Sequence, residues 1–172
     1  MAYEGTVLRA CGLIPLDFSR TWIVAVSGAG PNVCGHLLVH TATTGYYFHV
    51  VGDPADTGLG ALRGYPMYMN EDGFRRYMRE SGKRELKRRP VNLPNPQGAA
   101  DFIEECLSNM WTWGGIINNC VSFVEEVIAA GGGSWSSASN CPAVATADSL
   151  SQRLQDFYAR MDQNIRSVYG VP

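Results

Sequence analysis

No apolar run in this 172-residue chain approaches the length needed to cross a bilayer. The N-terminus lacks a basic stretch followed by an apolar core and a small-residue cleavage site, so no signal peptide is read there. The expectation is synthesis in the cytoplasm, with another export route if the protein works elsewhere. Neither charge sign dominates. A net charge of −2 removes any global case for nucleic acid as a partner. The five cysteines (11, 34, 106, 120 and 141) are odd in number and show no CxxC spacing. A disulfide framework is therefore not expected, and a reducing site of synthesis is favoured. No internal repeat is found. Histidine is scarce, with three in the chain, all between His36 and His49.

What is present describes one ordinary domain over 1–172, 45% hydrophobic and long enough to bury a core without metal or disulfide staples. Strands are expected at 5–10 and 22–27, and a hairpin over 36–51. Residues 52–66, rich in Gly, Pro and Asp, read as a loop. A helix starts near Glu71 and runs through FRRYMRES, with Gly82 interrupting before KRELKRRP. Val91 to Leu93 form a short strand, and a further helix covers about 97–109. Residues 132–147 read as a loop. A last amphipathic helix over 149–169 places Leu150, Leu154, Phe157 and Met161 on one face.

The chemistry concentrates in two places. Asn118-Asn119-Cys120 runs into VSFVEEVIAAGGG, where Val121, Val124, Val127 and Ile128 recur at helical spacing. Asn118 or Asn119 is the N-cap and Gly131 to Gly133 supply the stop. Cys120 then sits in the first turn, against the positive end of the helix dipole, which should lower its pKa and favour the nucleophilic thiolate. A base is offered by the hairpin GHLLVH–TATTG–YYFHVV. Alternation puts His36, Leu38 and His40 on one face, and antiparallel pairing sets His49 roughly opposite residues 37–39. His36 and His49 can meet on adjacent strands, whereas His40 lies toward the turn and is read as a structural residue.

Other readings weigh less. Zinc held by His36, His40, His49 and Cys120 is disfavoured, because strand spacing separates His36 from His40 by about 13 Å. Trp111 and Trp113 read as core anchors rather than substrate platforms. Eight of the fourteen Lys and Arg residues lie between Arg75 and Arg89. That segment is read first as a solvated helix face, and second as a patch for an anionic lipid, polymer or acidic partner.

The order of GHLLVH (His36), YYFHVVG (His49) and NNCVSFVEEV (Cys120) resembles the circularly permuted NlpC-like branch of the papain-like cysteine hydrolases, which includes the lecithin:retinol acyltransferase-like enzymes. The resemblance covers roughly residues 20–131. The block WTWGGIINNCVSFVEEVIAAGG is also similar to small bacterial effectors of antibacterial secretion systems such as type VI.

The resemblance implies an α+β papain-like fold, with an antiparallel sheet packed against the helix that bears the nucleophile. It implies Cys120 as nucleophile, His36 as general base and His49 as the residue orienting His36. The backbone N–H of Cys120 would help to hold the oxyanion. No side chain completing that hole is evident, and Tyr46, Tyr47 and Trp113 are the candidates. No cofactor or metal is implied. The expected activity is that of a peptidoglycan amidase or endopeptidase used against bacteria, with a phospholipase or lipid acyltransferase as the alternative. Expected partners are a cell-wall peptide or lipid substrate, an immunity protein and a secretion-apparatus protein. The expected place of action is outside the cell or in a target-cell periplasm.

Overall fold

The computed structural model describes residues 2–9, 14–29, 34–51, 62–109, 111–113 and 119–135. Two strands with strong β propensity, β2 (Thr21–Val26, TWIVAV) and β3 (His36–Thr41, HLLVHT), form the centre of an antiparallel sheet. β3 turns through Thr41–Gly45 into β4 (Tyr46–His49), where Gly45 takes the positive φ that closes the hairpin. With β1 (Thr6–Val7), β6 (Met67–Met69) and β7 (Glu85–Val91) the sheet order is β1-β6-β4-β3-β2-β7. A separate ribbon pairs β5 (Leu62–Gly64) with β8 (Trp111–Trp113).

Both faces of the sheet are covered, which is why β2 and β3 read as nearly continuous apolar runs rather than alternating ones. On one face, Val24, Val26, Leu38, Tyr47 and Met69 pack against Phe74 and Tyr77 of α1 (Glu71–Ser81). On the other, Ile23, Ala25, Leu37, Val39, Phe48 and Val50 meet α2 (Pro96–Asn109) and α3 (Cys120–Ala130). The two helices touch closely: a Cβ on Gly98 of α2 would collide with the Ala130 carbonyl oxygen at the end of α3. The architecture is α+β, a six-stranded antiparallel sheet between one helix and a pair. Among the described residues no helix is long and apolar enough to cross a membrane.

The hairpin, α1, α2 and α3 stand where the sequence puts them, and Asn119 rather than Asn118 is the N-cap. Four differences stand out. KRELKRRP supplies the edge strand β7 instead of a helix, because β2 lacks a partner on that side and an extended basic segment satisfies its ladder. The basic residues also keep the exposed edge from pairing with another chain. Short strands β5, β6 and β8 arise where loop or no element was read. β1 keeps only two of six expected residues. Finally, Cys34 is disulfide-bonded, while Cys106 and Cys120 are thiols. The expectation against disulfides is corrected there, since cysteine spacing carries no information about which thiols meet in space. The helix read over 149–169, Asn118 and most of 132–147 lie outside the described residues.

Candidate active site

The hairpin register pairs Val39 with Phe48 and His40 with Tyr47, which carried one step further sets His49 opposite Leu38. His36 and His49 therefore project from the same sheet face, the one covered by α1. Their rings meet edge-on, with His36 Nε2 2.8 Å from His49 Nδ1. The other nitrogen of His49, Nε2, lies 2.8 Å from the backbone oxygen of Glu4. That contact fixes both tautomers. A carbonyl oxygen only accepts, so His49 Nε2 carries the proton and His49 Nδ1 is left to accept. His36 Nε2 must then donate, which leaves the lone pair of the neutral His36 ring on Nδ1.

Burial keeps both rings neutral. His36 is 7% exposed and His49 is fully buried. Desolvation, followed by the charges of His49 and Lys83, holds His36 well below its ordinary 6.5. Desolvation outweighs the Glu4 hydrogen bond at His49 and brings it to about 4.

Cys120 arrives from the opposite side of the sheet. Asn119 caps α3, its Oδ1 accepting from Val121 N at 2.8 Å and Ser122 N at 3.2 Å, with Ser122 Oγ reaching back to the Asn119 amide. This capping box sets the angle of the first turn. It brings the Cys120 sulfur to the beginning of β3, where the backbone N–H of Leu37, the neighbour of His36, donates to it. The sulfur is thus held at the end of β3 that carries His36, although the His36 ring itself projects from the sheet face covered by α1.

The charge state of the thiol departs from expectation. Desolvation is the largest influence and raises the Cys120 pKa, against the backbone N–H groups of Leu37, Cys120 and Val121 and the charge of Lys83. At 8% exposure, loss of water outweighs the helix terminus. Both groups rest neutral, the Cys120 thiol and the His36 imidazole alike, rather than as thiolate and imidazolium.

His40 belongs to a different cluster. It stacks on Tyr47 with ring centroids 4.2 Å apart, and Arg88 Nη1 donates to its Nδ1 at 3.2 Å. Burial, helped by Arg88, brings its pKa to about 4. The Tyr47 hydroxyl donates to Glu71 at 2.6 Å and accepts from Arg88 at 2.8 Å, so it is committed away from Cys120. Tyr46 packs toward Tyr68 on the α2–α3 face. Neither tyrosine completes an oxyanion hole, because both lie at the turn end of the hairpin. The Trp113 side chain is outside the described residues, and Trp111 is buried against Phe102 and Phe123 as a core anchor. Among the described residues no group of three or more His, Cys, Asp or Glu side chains gathers as metal ligands do.

Four residues of the site were not read from the sequence. Glu4 and Gly5 enter because β1 lies two strands from β4, which carries His49, by way of β6. Gly5 holds φ +107°, and a Cβ there would stand 3.0 Å from the Tyr68 oxygen and 3.4 Å from His49 Nε2. Tyr77 sits with its ring 5.8 Å from that of His49, and Lys83 donates to its hydroxyl at 2.6 Å. The helical period of α1 marks Tyr77 as buried but not what it faces. No protein-family model matches the chain, and no curated protein or solved structure is found similar to it.

Proposed function

We propose that the protein is a papain-like cysteine hydrolase of the permuted NlpC-like kind, with Cys120, His36 and His49 as its catalytic set. The observation that carries this reading is the relay Glu4 C=O, His49, His36, which leaves an unprotonated Nδ1 on His36, the residue next to the Leu37 whose N–H holds the Cys120 sulfur. In the reaction the sulfur attacks an acyl carbon while His36 Nδ1 takes its proton. The Cys120 N–H, which the Asn119 cap does not occupy, is the first oxyanion donor. Collapse expels the amine with the proton returned from His36 and leaves a thioester. Water, deprotonated by His36, then releases the acid.

The leading substrate is an amide in bacterial peptidoglycan, as for an antibacterial effector delivered to a periplasm with an immunity protein as its counterpart. Purified protein should release peptide fragments from cell-wall sacculi, and Cys120→Ala should release none. Equal release by the variant would overturn the reading. Lipid esters are the second reading, favoured by Lys87 and the exposed Arg89 on edge strand β7. Vesicles rich in anionic lipid should then lose acyl chains, and intact vesicles at every composition remove this option.

A further inference from the structure

Helix α1 ends at Gly82, whose φ of 68° turns the chain back, and the Lys83 amide closes on the Met78 oxygen at 2.9 Å. The turn folds the Lys83 side chain over the preceding helical turn. Its Nζ lies 4.6 Å from the centroid of the Tyr77 ring and donates to the Tyr77 hydroxyl at 2.6 Å. The Tyr77 ring in turn lies 5.8 Å from that of His49, which bonds His36. A cation is thus seated on the α1 side of the site.

No carboxylate among the described residues closes on it as an ion pair. Burial holds the Tyr77 hydroxyl strongly toward its protonated form, so the group that anchors Lys83 carries no charge. Among the described residues the ion pairs are Arg75–Glu71, Arg76–Glu80 and Arg88–Glu85, and Lys83 takes part in none. The half-buried Glu4 carboxylate, itself pushed up by burial, attracts Lys83 without forming one of these ion pairs, and burial lowers the Lys83 pKa against that attraction. An ammonium has three donors, and Tyr77 occupies one. The charge of Lys83 also acts on Cys120, His36 and His49 alike, which places all three within its field.

We propose that Lys83 is a specificity-determining residue of this site, its ammonium receiving a carboxylate that the substrate carries beside the acyl group attacked by Cys120. The inference rests on the reading of Cys120 as nucleophile. It narrows the substrate to amides flanked by a free carboxylate, as at the carboxyl-terminal residue of a peptide. The guanidinium of Arg88 does not serve, because Glu85 and Tyr47 already take its donors.

Two alkylating agents of nearly equal shape test this without knowledge of the substrate. Iodoacetate carries the carboxylate beside the electrophilic carbon, and iodoacetamide is its neutral counterpart. In each, the sulfur forms the new S–C bond, iodide leaves and the thiol proton is lost to the base. On the full chain at mildly alkaline pH, the iodoacetate-to-iodoacetamide rate ratio at Cys120 is read by mass spectrometry. It should exceed that of N-acetylcysteine by about tenfold, the scale of one charge-assisted hydrogen bond. Lys83→Met should abolish the preference and Lys83→Arg should retain it. Arg79→Gln, which removes an equal charge from the exposed end of α1, should leave it unchanged. A second measurement needs no variant: acetate should protect Cys120 from iodoacetamide, and acetamide at equal concentration should not. A reactive Cys120 with no preference, or with one that Lys83→Met leaves intact, overturns the role of Lys83 alone. A Cys120 inert to both reagents overturns the nucleophile and this inference together.

Discussion

At the scale of single residues, the site depends on which ring nitrogen carries each proton. Removing His49 leaves His36 free to adopt the other tautomer. His49→Ala is therefore expected to lower kcat/KM by roughly 10²–10⁴-fold, the range for losing a correctly held base. His49→Gln retains an amide oxygen able to accept from His36 Nε2 and should recover part of that loss. Equal activity of both variants and the parent in steady-state assays would remove His49 from the catalytic set. Gly5→Ala acts on the same relay from outside. Its positive φ disfavours a side chain by roughly 1–2 kcal/mol, and the new Cβ presses toward His49 Nε2. Reduced turnover with the fold intact by circular dichroism is the expected outcome. The raised thiol pKa has its own signature. Iodoacetamide labelling of Cys120 should climb steadily as pH rises above neutrality, whereas a rate already flat from pH 6 would reveal a preformed thiolate.

At the scale of elements, the first turn of α3 and its contact with α2 hold Cys120 in place. Asn119→Ala removes the cap that satisfies two amide donors and should destabilise the protein by about 1 kcal/mol in chemical denaturation. Because the same turn aims Cys120, activity should fall by more than the lost stability explains. Gly98→Ala places a Cβ against the Ala130 carbonyl and forces α2 from α3, with a loss of about 1–3 kcal/mol expected from overpacking. Unchanged denaturation midpoints for either variant would contradict the packing described. Legibility at this scale was uneven. α1, α2 and α3 announce themselves by period and caps, since an amphipathic helix writes its burial into local spacing. β7 does not, because KRELKRRP becomes a strand only through the ladder offered by β2.

At the scale of the whole molecule, three buried neutral histidines couple the fold to pH. The unfolded chain takes up protons near pH 6.5, whereas His40 and His49 in the folded protein do so only at about 4, and His36 is also lowered. Between those limits the unfolded state binds more protons, so the stability these groups contribute is complete above about 6.5 and is lost as pH falls toward 4. Urea midpoints should decline across that window, and His40→Gln should make the decline shallower. A midpoint constant from 6.5 to 4 would mean that the rings are not buried as neutral groups.

The sequence by itself determined the cysteine helix, the histidine hairpin and the separation of His40 from His36 and His49, because each follows from spacing of 2 or 3.6 along a local segment. Only the tertiary structure decided that Glu4 sets the tautomers, that burial overrides the helix terminus at Cys120, and that Lys83 leaves the basic segment to join the site. Those outcomes depend on desolvation and on contacts between residues far apart in the chain. Neither quantity is written in any short stretch of residues.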